Sequence, residues 1–476
     1  MTPTTVRRST LAVTRPAPVT PTPTPAAGAA AAAAAAAGAT TGSRTSALTR
    51  TFPALSNRNL RLLLSGLLLS GTGGWIQRIA QDWLVLTLTN SPVAVGAVTA
   101  CQFLPTLVFG LHGGLLADRF PKHRILLTTQ ACMAVTAATL AALSLSGHLV
   151  VWQVFAVALV LGIATAVDNP VRQSFVSEVV ETDQLASAIS MVSCTFQIGA
   201  MVGPVIGGVL MGTVGAGYAF LINACTFLAP IIALLLMRPQ AHAREGRPGP
   251  ARTQDEPASG SPGIREGLSY ALHTPAVLWP VVMVGAFGFF TISLPVTLAA
   301  FAKNEFHSGA TGLGILNGVV AVGALAGAMS TGRRTRPPRL RTVGLAAAGL
   351  ATALLVAASA PDQLVFTILL LGVGAANLAF LTSAQSLVQL AAAPHLRGRI
   401  VGLYMLVFIG SGALGGPVVG LLAEHYGARI GLFVSGALPA VATMLVCRHL
   451  ARAAALRVGF TAFSVRVVRP SLVPRG

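Results

Sequence analysis

Arg78 and Asp82 stand four residues apart in the stretch Trp75-Ile76-Gln77-Arg78-Ile79-Ala80-Gln81-Asp82-Trp83. On a helix that spacing places a guanidinium and a carboxylate on one face, where they can pair, hold a charged ligand or exchange a proton. The surrounding residues are apolar enough for a bilayer, and a lone charge in hydrocarbon costs at least about 2–3 kcal/mol. The stretch should therefore face a protein-lined cavity rather than lipid. Gln77, Arg78, Gln81 and Asp82 span more than one helical face. For Gln77, Arg78 and Asp82, three roles stay open: a structural pair at a gate, a substrate contact, and proton coupling.

Little other chemistry competes with this pair. No G-x-x-x-x-G-K-[ST] phosphate loop is present, so ATP is not expected as the energy source. The five cysteines (Cys101, Cys132, Cys194, Cys225, Cys447) lie in apolar runs without metal-site spacing and read as small core hydrophobes. No metal, no cofactor and no catalytic residue is expected. Asn223, Asn317, Asn377 and Gln385 are uncharged polar residues at depth, suited to bonding between helices.

The elements that carry these residues are membrane helices. The chain is 54% hydrophobic and 9% charged, against roughly 25% charged in an ordinary soluble domain, and its mean hydropathy is +0.73. Twelve apolar runs fill the interval from Leu62 to Cys447, each of about 17–25 residues, the length a helix needs to span a hydrocarbon core. The first covers Leu62 to Leu88, the fourth Leu149 to Val167, the fifth Ala186 to Met211 and the seventh Ala276 to Phe301.

Of the 32 Lys and Arg, 29 fall in the termini and in the loops after spans 2, 4, 6, 8 and 10, and the opposite loops hold only Lys303 and Arg429. Retention of basic residues on the cytoplasmic side then predicts a multi-pass protein of the plasma membrane with both termini cytoplasmic. The formal charge of +19 is thus topological and does not predict nucleic-acid binding.

The predicted organisation is a disordered tail over 1–55, a six-helix bundle over 56–238, a cytoplasmic linker over 239–268, a second six-helix bundle over 269–450, and a tail over 451–476. The tail 1–55 is rich in Thr, Pro and Ala and shows no apolar period or cleavable signal. The halves repeat each other. Gly199-Ala-Met-Val-Gly203-Pro204-Val-Ile-Gly207 in span 5 recurs as Gly412-Ala-Leu-Gly-Gly416-Pro417-Val-Val-Gly420 in span 11, and Gln173-Ser174 just before span 5 recurs as Gln385-Ser386. Two matches at nearly one offset argue for duplication. Gly199, Gly203, Pro204, Gly207, Gly416 and Pro417 offer smooth, bendable faces that suit either a hinge between the halves or close packing alone.

The loop after span 2 reads Gly113-Gly114-Leu115-Leu116-Ala117-Asp118-Arg119-Phe120-Pro121-Lys122-His123-Arg124. It resembles the G-x-L-a-D-r-x-G-r-k signature of the major facilitator superfamily, with Pro121 where that family usually has Gly. The resemblance covers about residues 55 to 452 and implies an all-α membrane protein with twelve transmembrane helices in two six-helix bundles around a central cavity. It also implies a gate on the side of the termini, with Asp118 near the start of span 11 and near a basic residue such as Arg172.

Gly113, Asp118, Arg119, Arg124, Asp168 and Arg172 are the gating residues so implied. Arg119, Lys122 and Arg124 could equally serve topology alone. Asp168-Asn-Pro170-Val-Arg172-Gln173 resembles a segment of the subgroup that includes the enterobactin exporter, and Pro170 is expected to end span 4 there. The span 5 glycine motif resembles that of proton-coupled exporters. The arginine that many drug-proton antiporters carry in mid span 4 is absent, where the chain reads Val157-Ala-Leu-Val-Leu-Gly162.

The resemblance therefore implies a monomeric secondary-active transporter, not an enzyme. It would export a small amphipathic organic molecule, such as a drug, siderophore or secondary metabolite, by proton antiport and alternating access. Its partners would be that substrate, protons and the lipid bilayer, with no nucleic acid. A proton-coupled importer and a non-transporting membrane sensor are the alternatives.

Overall fold

A computed structural model of the chain describes residues 57–181, 184–237, 262–333, 337–393, 396–453, 458–461 and 464–467, without the side chains of 110–119, 186, 262–265 and those after 449. The predicted tail 1–55 and most of the predicted linker lie outside the described residues. So do the side chains of Gly113, Asp118 and Arg119.

Helix α1 (Arg58–Thr89) starts at Asn57, whose side-chain oxygen accepts the amides of Asn59 and Leu60, and stops at Asn90, which takes a left-handed conformation at φ 55°. Both are the local chemistry that helix ends require. The chain continues through α2 (Pro92–Arg119), α3 (Lys122–Leu145), α4 (Val151–Val179), α5 (Leu185–Thr213) and α6 (Ala216–Leu236). After a short helix, Pro262–His273, follow α7 (Pro275–Glu305), α8 (Gly309–Gly332), α9 (Leu340–Ala358), α10 (Gln363–Ala391), α11 (Arg397–Tyr426) and α12 (Ala428–Ala453). A two-stranded antiparallel hairpin, β1 (Val458–Thr461) with β2 (Ser464–Val467), comes last. The short helix begins inside the predicted linker and the hairpin inside the predicted terminal tail.

By length and composition, eleven segments among the described residues can cross a membrane. Helix α1, at 32 residues, is long enough and falls below the same apolarity because of Gln77 to Asp82 and its glycines and hydroxyls. It is the twelfth helix of the fold.

The helices form two bundles. In the first, α1 packs on α5 and α6, α2 on α4, and α3 on α4 and α6. In the second, α7 packs on α10 and α11, α8 on α10, and α9 on α10 and α12. The bundles meet mainly through α2 with α11 and α5 with α8. Glycine makes that meeting possible. A Cβ on Gly420 would lie 2.6 Å from the Pro92 carbonyl oxygen, and one on Gly208 would lie 2.7 Å from both the Ala310 oxygen and the Gly314 Cα. Only backbones without side chains come this close. These contacts join the start of α2 to the end of α11, and the end of α5 to the start of α8. They therefore close the molecule at the face opposite the termini.

Three expectations are corrected. Span 4 does not end at Pro170; α4 runs through it to Val179, as membrane helices allow when neighbours accommodate the freed carbonyl. Lys303 is not on a loop, since α7 carries on as a π turn over Phe301–Glu305. The cysteines are not core residues: Cys132, Cys194, Cys225 and Cys447 are exposed and Cys101 is half-buried.

Candidate functional site

The polar stretch of α1 is divided between its neighbours. Gln77 accepts a hydrogen bond from Asn223 Nδ2 on α6 at 2.5 Å, and Gln81 Nε2 donates to the Val154 carbonyl on α4 at 3.4 Å. Both are buried and bind α1 to its own bundle. Gln77 is thereby tied to α6, and Asn223 is the interhelical partner its type suggested. Asn317 donates within its own helix, to the Leu313 carbonyl at 3.0 Å, and Asn377 Oδ1 is buried without a partner.

Arg78 turns the other way. Its guanidinium lies 5.0 Å from the ring centroid of Trp75 on α1 and 5.1 Å from that of Phe103 on α2. Trp75 in turn meets Phe196 of α5 edge-on, with centroids 5.9 Å apart. The aromatic cage is thus built from α1, α2 and α5, and α2 and α5 are the helices of this bundle that meet the second one. The ring faces stabilise the cation by about 0.5–2 kcal/mol each.

Asp82 lies one helical turn further toward the closed face and is 2% exposed. Among the described residues its Oδ1 has no hydrogen-bond partner, and no ion pair to Arg78 within 4.0 Å forms. The spacing predicted such a pair. The guanidinium packs on aromatic faces, still near enough to Asp82 for the two charges to attract, and the carboxyl Oδ1 stays buried with an unmet acceptor. That is a costly arrangement unless something else binds there during function.

Of the residues implied as the gate on the termini side, Asp168, Arg172 and Arg124 have described side chains. Asp168 is 0% exposed, and its Oδ1 accepts from Thr129 Oγ1 at 2.8 Å and Gln130 Nε2 at 2.9 Å, both on α3. Its Oδ2 pairs with Arg172 one turn along α4. Arg172 is thus a partner of Asp168; its expected approach to Asp118 involves a side chain outside the described residues. Nearby, Lys122 at the start of α3 pairs with Glu178 near the end of α4. Arg124 is exposed.

Gly199, Gly203 and Gly207 of α5 press on Thr72, Trp75 and Ile76 of α1 within their own bundle, and Pro204 offers its carbonyl close to Gly314 of α8. Gly416 and Pro417 of α11 lie against Gly96 of α2.

Two features escaped the sequence reading. The cage partners Phe103 and Phe196 are apolar residues in apolar spans, with nothing to single them out. Glu424, at the end of α11, accepts from Ser91 Oγ and from the Val93 amide at 3.2 Å across the bundle boundary; its place in the last turn of a span was the one available signal.

Twelve helices in two bundles that meet at α2–α11 and α5–α8 are the architecture of a membrane transporter of the major facilitator superfamily. Residues 49–458 match the family described as "Transmembrane secretion effector", and the chain belongs to that family, whose members are transporters and not enzymes. The chain is 28% identical over 404 residues to the multidrug efflux pump Tap of Mycobacterium tuberculosis, covering 82% of this chain and 92% of that one. It is 31% identical over 166 residues to the staphyloferrin A transporter of Staphylococcus aureus, covering 34% and 42%. A bacterial homologue of the lysosomal transporter Spinster, solved in an inward-facing, unoccupied conformation, has the same fold: TM-score 0.65, 16% identity, 83% of this chain and 98% of that one.

Proposed function

We propose that the protein exports small amphipathic organic molecules in exchange for protons. The observation that carries this reading is the cage of Trp75, Arg78 and Phe103 beside Asp82, whose buried oxygen lacks a partner. Aromatic faces suit an apolar, planar portion of a ligand. The carboxylate gains either a proton or a ligand's donor group, and binding of one disfavours the other, which is the requirement for antiport. The similarity to a multidrug efflux pump and to a siderophore transporter supports the substrate class.

The basic residues of the termini and even-numbered loops support cytoplasmic termini in the plasma membrane. The closed face is then external. Alternating access would open it while the termini side closes through Asp118, with Gly113, Arg119, Arg124 and the Asp168–Arg172 pair shaping that gate. The Gly-Pro motifs of α5 and α11 would bend at the junction. One chain holds both bundles, so a monomer suffices.

Everted membrane vesicles made acidic inside should accumulate amphipathic fluorescent dyes such as ethidium only when the protein is present, and collapse of the pH gradient should release them. Uptake that ignores the gradient would contradict proton antiport, and accumulation only in right-side-out vesicles would reverse the direction.

A further inference from the structure

We infer that Lys303 and Glu424 are positioning residues of the transport cycle, holding shut the face opposite the termini by gripping the α1–α2 turn at both of its helix ends. Among the described residues, four hydrogen bonds join the two bundles at this face. Three of them converge on one short turn. Lys303 Nζ donates to the carbonyl of Leu86 at 2.7 Å, in the last turn of α1. Glu424 accepts from Ser91 Oγ and from the Val93 amide, at the first turn of α2. Only Asn90 and Ser91 separate α1 and α2.

The signs of the charges match what each helix end presents. The last carbonyls of a helix carry partial negative charge and favour a cation, whereas the first amides carry partial positive charge and favour an anion. A lysine from α7 meets the first and a glutamate from α11 meets the second, so the second bundle holds the turn by two complementary contacts. The π turn Phe301–Glu305 places Lys303 there, and Glu305 of the same turn bonds Arg429 Nε at 3.1 Å, which fixes the turn to the α11–α12 corner. Beneath the clasp lies the glycine seam, where Gly96 meets Gly416 and Thr99 lines the contact.

The clasp differs from an ordinary interbundle salt bridge. Lys303 and Glu424 bind backbone and a hydroxyl, not each other. Opening this face separates α1–α2 from α7 and α11, so it must break every one of these bonds. Their strength therefore sets how much of the population is closed here. This reasoning rests on the fold and holds for import and export alike.

The test uses purified full-length protein in detergent with its five cysteines replaced by serine and Thr99→Cys introduced. Thr99 is 7% exposed, so N-ethylmaleimide reaches that cysteine only when the seam opens. Lys303→Ala and Glu424→Ala are each expected to raise the labelling rate roughly three- to tenfold, as loss of a charge at a helix end would allow. Ser91→Ala, which removes one hydroxyl, should raise it less. Lys303→Arg and Glu424→Asp should stay near the parent. The double exchange Lys303→Glu with Glu424→Lys should remain fast, because it presents the wrong sign to both helix ends. A cysteine at Tyr426, 64% exposed on the same face, should label equally in all variants if each is folded. Parent-like rates in Lys303→Ala, Glu424→Ala and Ser91→Ala would overturn the clasp, and so would rescue by the double exchange, which would mean a direct ion pair.

Discussion

Gly96→Val is expected to abolish transport while leaving both bundles folded. A Cβ at Gly96 would overlap the Gly416 carbonyl oxygen and come within 2.9 Å of the Pro417 nitrogen. The atoms met are backbone on the far side of the bundle junction, so no side chain can rotate away. Overpacking ordinarily costs about 1–3 kcal/mol, and here separating the bundles relieves it. The face opposite the termini then cannot close, and its closed population should fall by about tenfold or more. Each bundle's own contacts are untouched, so yield and helicity should match the parent. Transport of a dye by Gly96→Val at more than half the parent rate would show that the seam need not close.

Asp168→Ala should produce the largest loss of stability. Its carboxylate is fully buried and receives Thr129, Gln130 and Arg172. Removing it takes the carboxylate from the Arg172 guanidinium, which among the described residues keeps only Asn169 Oδ1 at 3.3 Å, and the acceptor from the Gln130 amide, while the Thr129 hydroxyl retains the Leu126 carbonyl; breaking a buried ion pair from one side costs about 3–5 kcal/mol. Arg172 is 26% exposed, which lets it recover some solvation and places the expected cost near the lower end. Asp168→Asn keeps an acceptor for Thr129 and should cost less, and Thr129→Val should cost about 1 kcal/mol. Thermal melting in detergent at one scan rate should rank the variants in that order, with Asp168→Ala several degrees below the parent. Equal melting of Asp168→Ala and the parent would contradict this account of the network.

The number of helices, their order and the two-bundle architecture were legible because bilayer thickness sets span length and breaks are marked by charge and Pro-Gly clusters. The role of each face was not. In a soluble protein an apolar stripe marks the inside, but lipid is as apolar as a helix interior, and that contrast disappears. Exposed Cys132 and buried Ala137 of α3 therefore look alike in sequence. Polar residues were the better guide. Gln77, Arg78, Gln81 and Asp82 stood out, yet their division between packing and cavity depends on which neighbour each face meets.

Spacing also misled. Arg78 and Asp82 have the register of a close ion pair, but the guanidinium packs on Trp75 and Phe103 and attracts the carboxylate only from beyond contact distance, and Asp168, set at a helix end by Pro170, lies in the middle of a longer helix. Lys303 was assigned to a loop because apolarity stops at Phe301, whereas helical backbone continues for another turn.

The exchange of substrate for proton at Asp82 is the centre of the proposed mechanism, and Asp82→Asn tests it most directly. In everted vesicles the variant should lose accumulation driven by an acidic interior, because the amide cannot take up and release a proton. It should still equilibrate dye down its own gradient, since Trp75, Arg78 and Phe103 remain in place. Accumulation by Asp82→Asn that follows the pH gradient as the parent does would contradict the assignment.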